Sequence, residues 1–286
     1  MKYFFLLTPL FLIACNMQGV KDPSISDNDS IVENTGEADS SNKPFLMVDS
    51  INGQPNEMVY NRKDGLRIEW TKKNNANPIL LNDVVMVNYK ARVAGGEQYD
   101  SNTELGEPVP LKTNIGMMIK GWEEGLLLLH VGDKARIMIP NALAYGEDGY
   151  IDIVPPQADI IVEIEIVSKI EPIILDEGVK VYVWKSVKKG KTPVKNQIIT
   201  FDYFAYTKGK GAKLYDNSYK NAEPFSFKFQ NAGVVEGLHQ GFSVLKSGEN
   251  AFIEIPTELA YGKKGLVDFV PSKTDIVYDV RIKSIE

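Results

Sequence analysis

The residues of this chain that could act on another molecule gather in three places. They are Tyr99-Asp100, the stretch Met118-Ile119-Lys120-Gly121-Trp122-Glu123-Glu124-Gly125-Leu126, and Ala144-Tyr145-Gly146. Together they supply hydroxyl-bearing rings, an indole, aliphatic side chains and a carboxylate. No nucleophile stands beside a base in a pattern that would activate it. Gly121-Trp122-Glu123-Glu124-Gly125 has the wrong spacing for a nucleotide loop, and an acidic pair sits where phosphate would bind. The two histidines, His130 and His239, lie in or after apolar stretches and read as structural. With one cysteine and no Cys/His cluster, a metal centre and a disulfide framework are excluded, and no cofactor is expected. Taken singly, each Tyr or Trp is ordinary core material. Any signal must come from the ordered set, and its chemistry is noncovalent.

These residues need elements to position them. Trp122, Leu126 and Leu129 recur at i, i+4 and i+7, one face of a short helix, and Gly132 is the expected C-cap. Gly65–Trp70, Ala135–Ile139 and Ile160–Val167 alternate as half-buried strands do, the last with Glu163 and Glu165 outward. Val84–Tyr89 is denser in β-branched residues, and Leu111–Ile115 is a further strand candidate. Several antiparallel strands with one short helix predict an α+β fold, a twisted sheet wrapped around the helix.

The pattern then occurs again. Tyr99-Asp100 recurs as Tyr215-Asp216, Glu107-Pro108 as Glu223-Pro224, Gly132 as Gly248 and Ala144-Tyr145-Gly146 as Ala260-Tyr261-Gly262, each 116 residues on. Tyr89 matches Tyr203 at 114, which places two extra residues in Lys208-Gly209-Lys210-Gly211. The period is far too long for a solenoid. Two domains of the same fold are expected, at 58–170 and 171–286.

Order and spacing in the first repeat resemble the FKBP-type peptidyl-prolyl isomerases. The resemblance implies two FKBP-like domains. It also implies that Tyr89, Tyr99, Asp100, Met118, Ile119, Trp122 and Tyr145 form a catalytic pocket, with Val109, Ile153, Val154 and Val162 as further substrate-binding positions. In that family such residues line a shallow apolar pocket for a proline ring, with the Trp as floor. Tyr145 OH and the Ile119 backbone N–H are then expected to bond the carbonyls flanking the proline. Asp100 positions and polarises rather than acting as a base. On that mechanism turnover is expected to be flat across neutral pH. The second repeat offers Tyr203, Tyr215, Asp216, Phe225, Val234, Val235, Leu238, Tyr261, Phe269 and Tyr278 at matching places, with Leu238 instead of the floor Trp. The basic residue that often partners the Asp is Leu105 in the first repeat and Asn221 in the second. Val109 and Val162 stand where aromatics are usual.

At the other end, Lys2 precedes the apolar run Tyr3 to Ala14, about 12 residues against the ~20 needed to span a bilayer. It reads as a secretory signal. Leu12-Ile13-Ala14-Cys15 resembles the bacterial lipobox, so residues 1–15 are expected to be a lipoprotein signal with Cys15 acylated. Residues 16–57 are an acidic tether and N-terminal extension, too polar through Pro44 to order themselves. Asn16 after the cysteine points to the outer membrane, facing the periplasm. A net charge of -6 argues against nucleic acid as a partner.

The expected function is isomerisation of X-Pro bonds in exported proteins (a protein-folding rotamase) by a lipid-anchored protein of a bacterial cell envelope, the first domain being the more active. Expected partners are proline-containing polypeptides, the membrane through the lipid, and macrolide inhibitors of the FKBP class. The rival is a chaperone-like or proline-directed binding module of an envelope complex without significant turnover; some gliding-motility lipoproteins have this isomerase-like character.

Overall fold

The computed structural model describes residues 58–286. Cys15, the expected signal and all of the expected tether and extension lie outside them. The first half forms seven antiparallel strands: β1 (Val59–Asn61), β2 (Arg67–Lys72), β3 (Val84–Val93), β4 (Gln98–Ser101), β5 (Val109–Lys112), β6 (Lys134–Ile139) and β7 (Ile160–Ile170). They lie in the order β1-β2-β6-β7-β3-β4, with β5 also paired to β3. Helix α1 (Lys120–Leu126) packs across the concave face. The second half repeats this with β8 (Ile173–Ile174), β9 (Lys180–Lys185), β10 (Ile198–Thr207), β11 (Leu214–Asn217), β12 (Phe225–Lys228), β13 (Asn250–Ile255), β14 (Ile276–Ile285) and α2 (Glu236–Ser243). Its order is β11-β10-β14-β13-β9-β8, with β12 on β10.

Alternation explains the layers. In β6 and β7, Ile137, Ile139, Ile160, Val162, Ile164 and Ile166 turn inward and are buried. Their neighbours Arg136 and Glu163 pair on the outside. Each helix meets its sheet through glycines. A Cβ on Gly121 would stand 2.3 Å from Ile139 Cγ2, and one on Gly237 2.2 Å from Ile255 Cγ2. Glycine inside a helix costs roughly 1 kcal/mol, but here it lets the helix lie against the strand. Gly132 corrects the expected capping: α1 ends at Leu126 with Leu127 as C-cap, and Gly132 (φ +90°) belongs to the turn that starts β6. Leu129, beyond the helix, is still fully buried.

The halves also pack on each other. The β10–β11 hairpin, which holds the two extra residues, docks on 114–116 of the first half. Gly209 N–H donates to Asn114 O at 3.0 Å. Gly116 (φ +63°) lies so close to Ala212 that a Cβ would sit 2.2 Å from its carbonyl oxygen. Beside this seam Lys112 Nζ, fully buried, lies 3.0 Å from Glu254 Oε2 and 4.1 Å above the Tyr182 ring, and donates to Asn82 O at 2.8 Å. Lys208 Nζ reaches the other Glu254 oxygen at 2.6 Å. Burial pushes Lys112 down to about 8, against the pull of Glu254. Burial would raise Glu254, but Lys112 and Lys208 hold it below its ordinary value.

Candidate active site

The first site forms where β3, β4, β5, α1 and the 141–154 segment meet. Tyr89, Met118, Ile119, Trp122, Val154 and Val162 are buried in one apolar cluster, and Tyr99, Val109, Tyr145 and Ile153 pack against it half-buried. The Tyr89 and Trp122 rings meet edge to face, 5.2 Å apart. Tyr145 stacks on Tyr150 at 5.2 Å. Ile119 immediately precedes α1. Its carbonyl accepts the Trp122 and Glu123 N–H groups, while its own N–H lies ahead of the first intrahelical donor. Val162 is fully buried, so it backs the site rather than opening to it.

Asp100 is held differently from an exposed carboxylate. Burial raises it to about 6, although hydrogen bonds from Tyr89 and from the Ser101 N–H favour the charged form. Burial and Asp100 together push the Tyr89 phenol well above its ordinary value. Leu105 is exposed, as befits a residue with no carboxylate to serve.

In the second site Tyr203 Oη donates to Asp216 Oδ2 at 2.6 Å. Tyr203 lies 5.4 Å from the Tyr278 ring and 6.0 Å from Phe225. Tyr215 and Tyr278 hydroxyls are 3.3 Å apart, and Tyr261 hydrogen-bonds to both. Burial raises all three of Tyr203, Tyr215 and Tyr278. Leu238 is buried, Val235 packs against the same core, and Phe225 and Phe269 stand exposed at the rim. Val234 packs on that core too, but also lines a separate, more polar cleft with Leu175, Asn231 and His239.

Sequence reasoning missed three features. Lys220 Nζ lies 3.3 Å from Asp216 Oδ1, so the second carboxylate has a cation, one position before Asn221. Its counterpart in the first repeat is Glu104. Asn102 is the second feature. It is buried, accepts the Tyr89 N–H at 2.7 Å, and donates to Val87 O at 3.2 Å and Glu107 O at 3.0 Å. Its counterpart Ser218 accepts the Tyr203 N–H at 3.1 Å. The recurring offset could have pointed to this pair. The third is the seam of Lys112, Lys208 and Glu254, for which no local sequence signal exists.

Residues 77–167 and 189–283 each match the family of FKBP-type peptidyl-prolyl cis-trans isomerases. The chain belongs to that family. FK506-binding protein 1 of Candida glabrata is 36% identical over 86 residues, 30% of this chain and 75% of that protein. Peptidyl-prolyl cis-trans isomerase FKBP10 of mouse is 24% identical over 211 residues, 72% of this chain, and the match spans about a third (35%) of its length. A crystal structure of the three FKBP domains of wheat FKBP73 aligns with 78% of this chain and 96% of its own, at 24% identity and TM-score 0.40. The two family matches, one in each half, establish the tandem FKBP-type organisation. Among the described residues no three His, Cys, Asp or Glu side chains cluster as metal ligands. No helix there is long and apolar enough to cross a membrane.

Proposed function

We propose that the protein isomerises X-Pro bonds of polypeptides, with most turnover in the first site. The observation that carries this is the Tyr89–Trp122–Asp100 arrangement: an indole floor in T-shaped contact with Tyr89, which also bonds a half-buried carboxyl. The amide barrier of ~18–20 kcal/mol comes from C–N double-bond character. Rotation removes that resonance and its dipole. A dry apolar site binds the twisted amide better than the planar one, which is differential binding without a covalent step. On this reading the Ile119 N–H and Tyr145 hydroxyl hold the flanking carbonyls, and Asp100 and Tyr99 border the turning one. FK506-type macrolides are expected to occupy the same site.

The second site favours a different weighting. Its floor is Leu238, its interior carries three mutually bonded tyrosine hydroxyls, and its rim rings are exposed. That composition suits holding a proline segment more than turning it over. The test is a proline-peptide isomerase assay on residues 16–286 carrying Asp100→Leu or Asp216→Leu. Most turnover should vanish with the first and little with the second; equal losses refute the assignment.

The same proposal includes a lipid anchor at Cys15 and exported proteins as substrates in a bacterial envelope, the setting of gliding-motility lipoproteins. Its support is Lys2, the apolar run, Leu12-Ile13-Ala14-Cys15 and the acidic tether. Intact mass spectrometry of membrane-extracted protein decides it: acylated Cys15 is expected, and an unmodified Met1 terminus refutes it.

A further inference from the structure

Glu123 and His239 occupy the same place in the two repeats, and each reaches back from its helix to the loop before it. Glu123 accepts the Asn114 N–H, and the Ile115 N–H at 3.3 Å. His239 Nδ1 accepts the Gln230 N–H at 3.1 Å, and Gln230 is the counterpart of Asn114 at the same spacing of 116. The other ring nitrogen, Nε2, lies 2.9 Å from Asn231 O. A nitrogen that accepts carries no proton, and a carbonyl oxygen can only accept, so Nε2 holds the hydrogen. The two bonds together require a neutral ring in one tautomer. That ring is buried, with Phe227 at 5.3 Å and Phe229 at 5.8 Å.

We propose that His239 is a positioning residue for the second site: a neutral-imidazole latch that holds the 230–235 loop, and with it Val234 and Val235, and that releases it on protonation. A proton on Nδ1 would face the Gln230 N–H, donor against donor, and leave a buried amide unsatisfied. Imidazole is the side chain whose charge changes near physiological pH. Glu123 behaves differently: burial raises it against the bonds from the Asn114 and Ile115 N–H groups, but a carboxyl keeps an accepting oxygen in either protonation state. Acid should therefore loosen the second site while the first loop stays tied.

Charged groups and aromatic rings both surround the imidazole. Asp176, Glu177 and Glu236 line the cleft beside His239. The Phe227 and Phe229 rings also pack against it. Lys228, between those two phenylalanines, is exposed. The proposal rests on the second site as a proline site only through Val234 and Val235; the latch itself is a local fact of Gln230 and His239.

The experiment is NMR on residues 16–286 from about pH 8 to about pH 5, the range in which imidazoles titrate. Ring nitrogen shifts follow His239, the exchange protection factor of the Gln230 amide follows the latch, and the Val234 and Val235 amides follow binding of an Ala-Pro-containing peptide. As the ring protonates, Gln230 protection should fall, and peptide affinity should drop roughly 2- to 13-fold, the worth of one net hydrogen bond. His239→Glu, the solution the first repeat uses, should keep Gln230 protected throughout. His239→Phe fills the space without an acceptor and should leave it unprotected at every pH. Unchanged Gln230 protection through the ring titration overturns the latch. So does a ring that stays neutral to the acid end, or the same acid loss in His239→Glu. If no peptide binds at any pH, the proline-site reading of this domain fails, and the Gln230 amide still decides the latch.

Discussion

The Tyr89 hydroxyl donates to the Asp100 carboxyl, and burial raises that carboxyl to about 6. If the charged form borders the turning carbonyl, turnover by the first site should be level above neutrality and fall through one inflection near pH 6. A pH–rate profile on a proline peptide, with the second site disabled by Asp216→Leu, measures it. Asp100→Asn should remove the inflection and slow the reaction without abolishing it, since no nucleophile is lost. An inflection that survives Asp100→Asn assigns the titration elsewhere.

The same shift has a stability consequence of definite sign. The folded-state value of about 6 lies above the ordinary 3.8, so the folded protein keeps this proton to higher pH than the unfolded chain. The stabilisation is complete below 3.8 and is lost as pH rises through 6, leaving a half-buried charge at neutrality. Asp100→Asn should therefore raise the first unfolding transition at neutral pH, and raise it less near pH 4, by calorimetry. A lower Tm at neutral pH would contradict the burial argument.

The missing indole of the second site is offset by larger neighbours. Val87, Val109 and Leu126 of the first repeat correspond to Phe201, Phe225 and Phe242, and Phe201 lies 4.8 Å from Phe242 and 5.7 Å from Phe225. Leu238 is buried in the same core as Phe201 and Phe242. Leu238→Trp alone should overpack the site and destabilise the domain by ~1–3 kcal/mol. Pairing it with Phe201→Val should recover most of that loss, and only the double variant should gain turnover. In the first domain, Trp122→Ala should cost ~3–5 kcal/mol, so its folding must be verified before its rate is read. A single Leu238→Trp variant as stable as the parent would show that the phenylalanines do not occupy the indole's space.

Much of this architecture was visible in the chain because it depends on local repetition. Period-two runs became β2, β6 and β7, and Tyr-Asp and Ala-Tyr-Gly recur at one fixed offset because they take the same places in each repeat, the first on β4 and β11 and the second in a turn. What escaped was set by contacts across the fold. Lys220 meets Asp216 because Asn217 accepts the Lys220 N–H and caps a turn there, a shift of one position that spacing alone hides. Gly132 resembled a helix cap, yet α1 stops six residues earlier and the apolar period runs on into the loop. The two extra hairpin residues were visible as an insertion, but their docking on Asn114 and Gly116 was not.

Asn102 should matter more than its polarity suggests. One side chain ties Val87 and Tyr89 of β3 to Glu107, just ahead of Val109, and so sets where Tyr89 meets Asp100. Asn102→Ala would strand buried backbone groups at ~1–3 kcal/mol each. It should lower kcat/KM and move the acid inflection of the first site as well as Tm. Asn102→Ser, which copies the second repeat, should recover part of both. If Asn102→Ala changes Tm but leaves the pH profile in place, the residue is structural only.

The buried seam between the domains makes an asymmetric prediction. Lys112 and Glu254 are 3.0 Å apart and almost wholly removed from water. Desolvating both ions costs much of what their attraction returns, so the pair is expected to be worth little against an apolar replacement. Breaking one side is another matter. Glu254→Gln leaves the Lys112 charge buried beside Tyr182 without its counter-ion, and should destabilise the protein by ~3–5 kcal/mol. Lys112→Met should be near neutral, because Lys208 still reaches Glu254 at 2.6 Å. The pH response follows from the same pair. Glu254 is held below its ordinary value, so its contribution is present above about pH 4.5 and is lost as pH falls through its folded-state value. Calorimetry of the parent and both variants at neutral pH measures the asymmetry, and separation of the two domain transitions in Glu254→Gln would show that this pair couples them. Equal losses in Glu254→Gln and Lys112→Met would show that the attraction itself, rather than the penalty of an orphaned charge, holds the halves together.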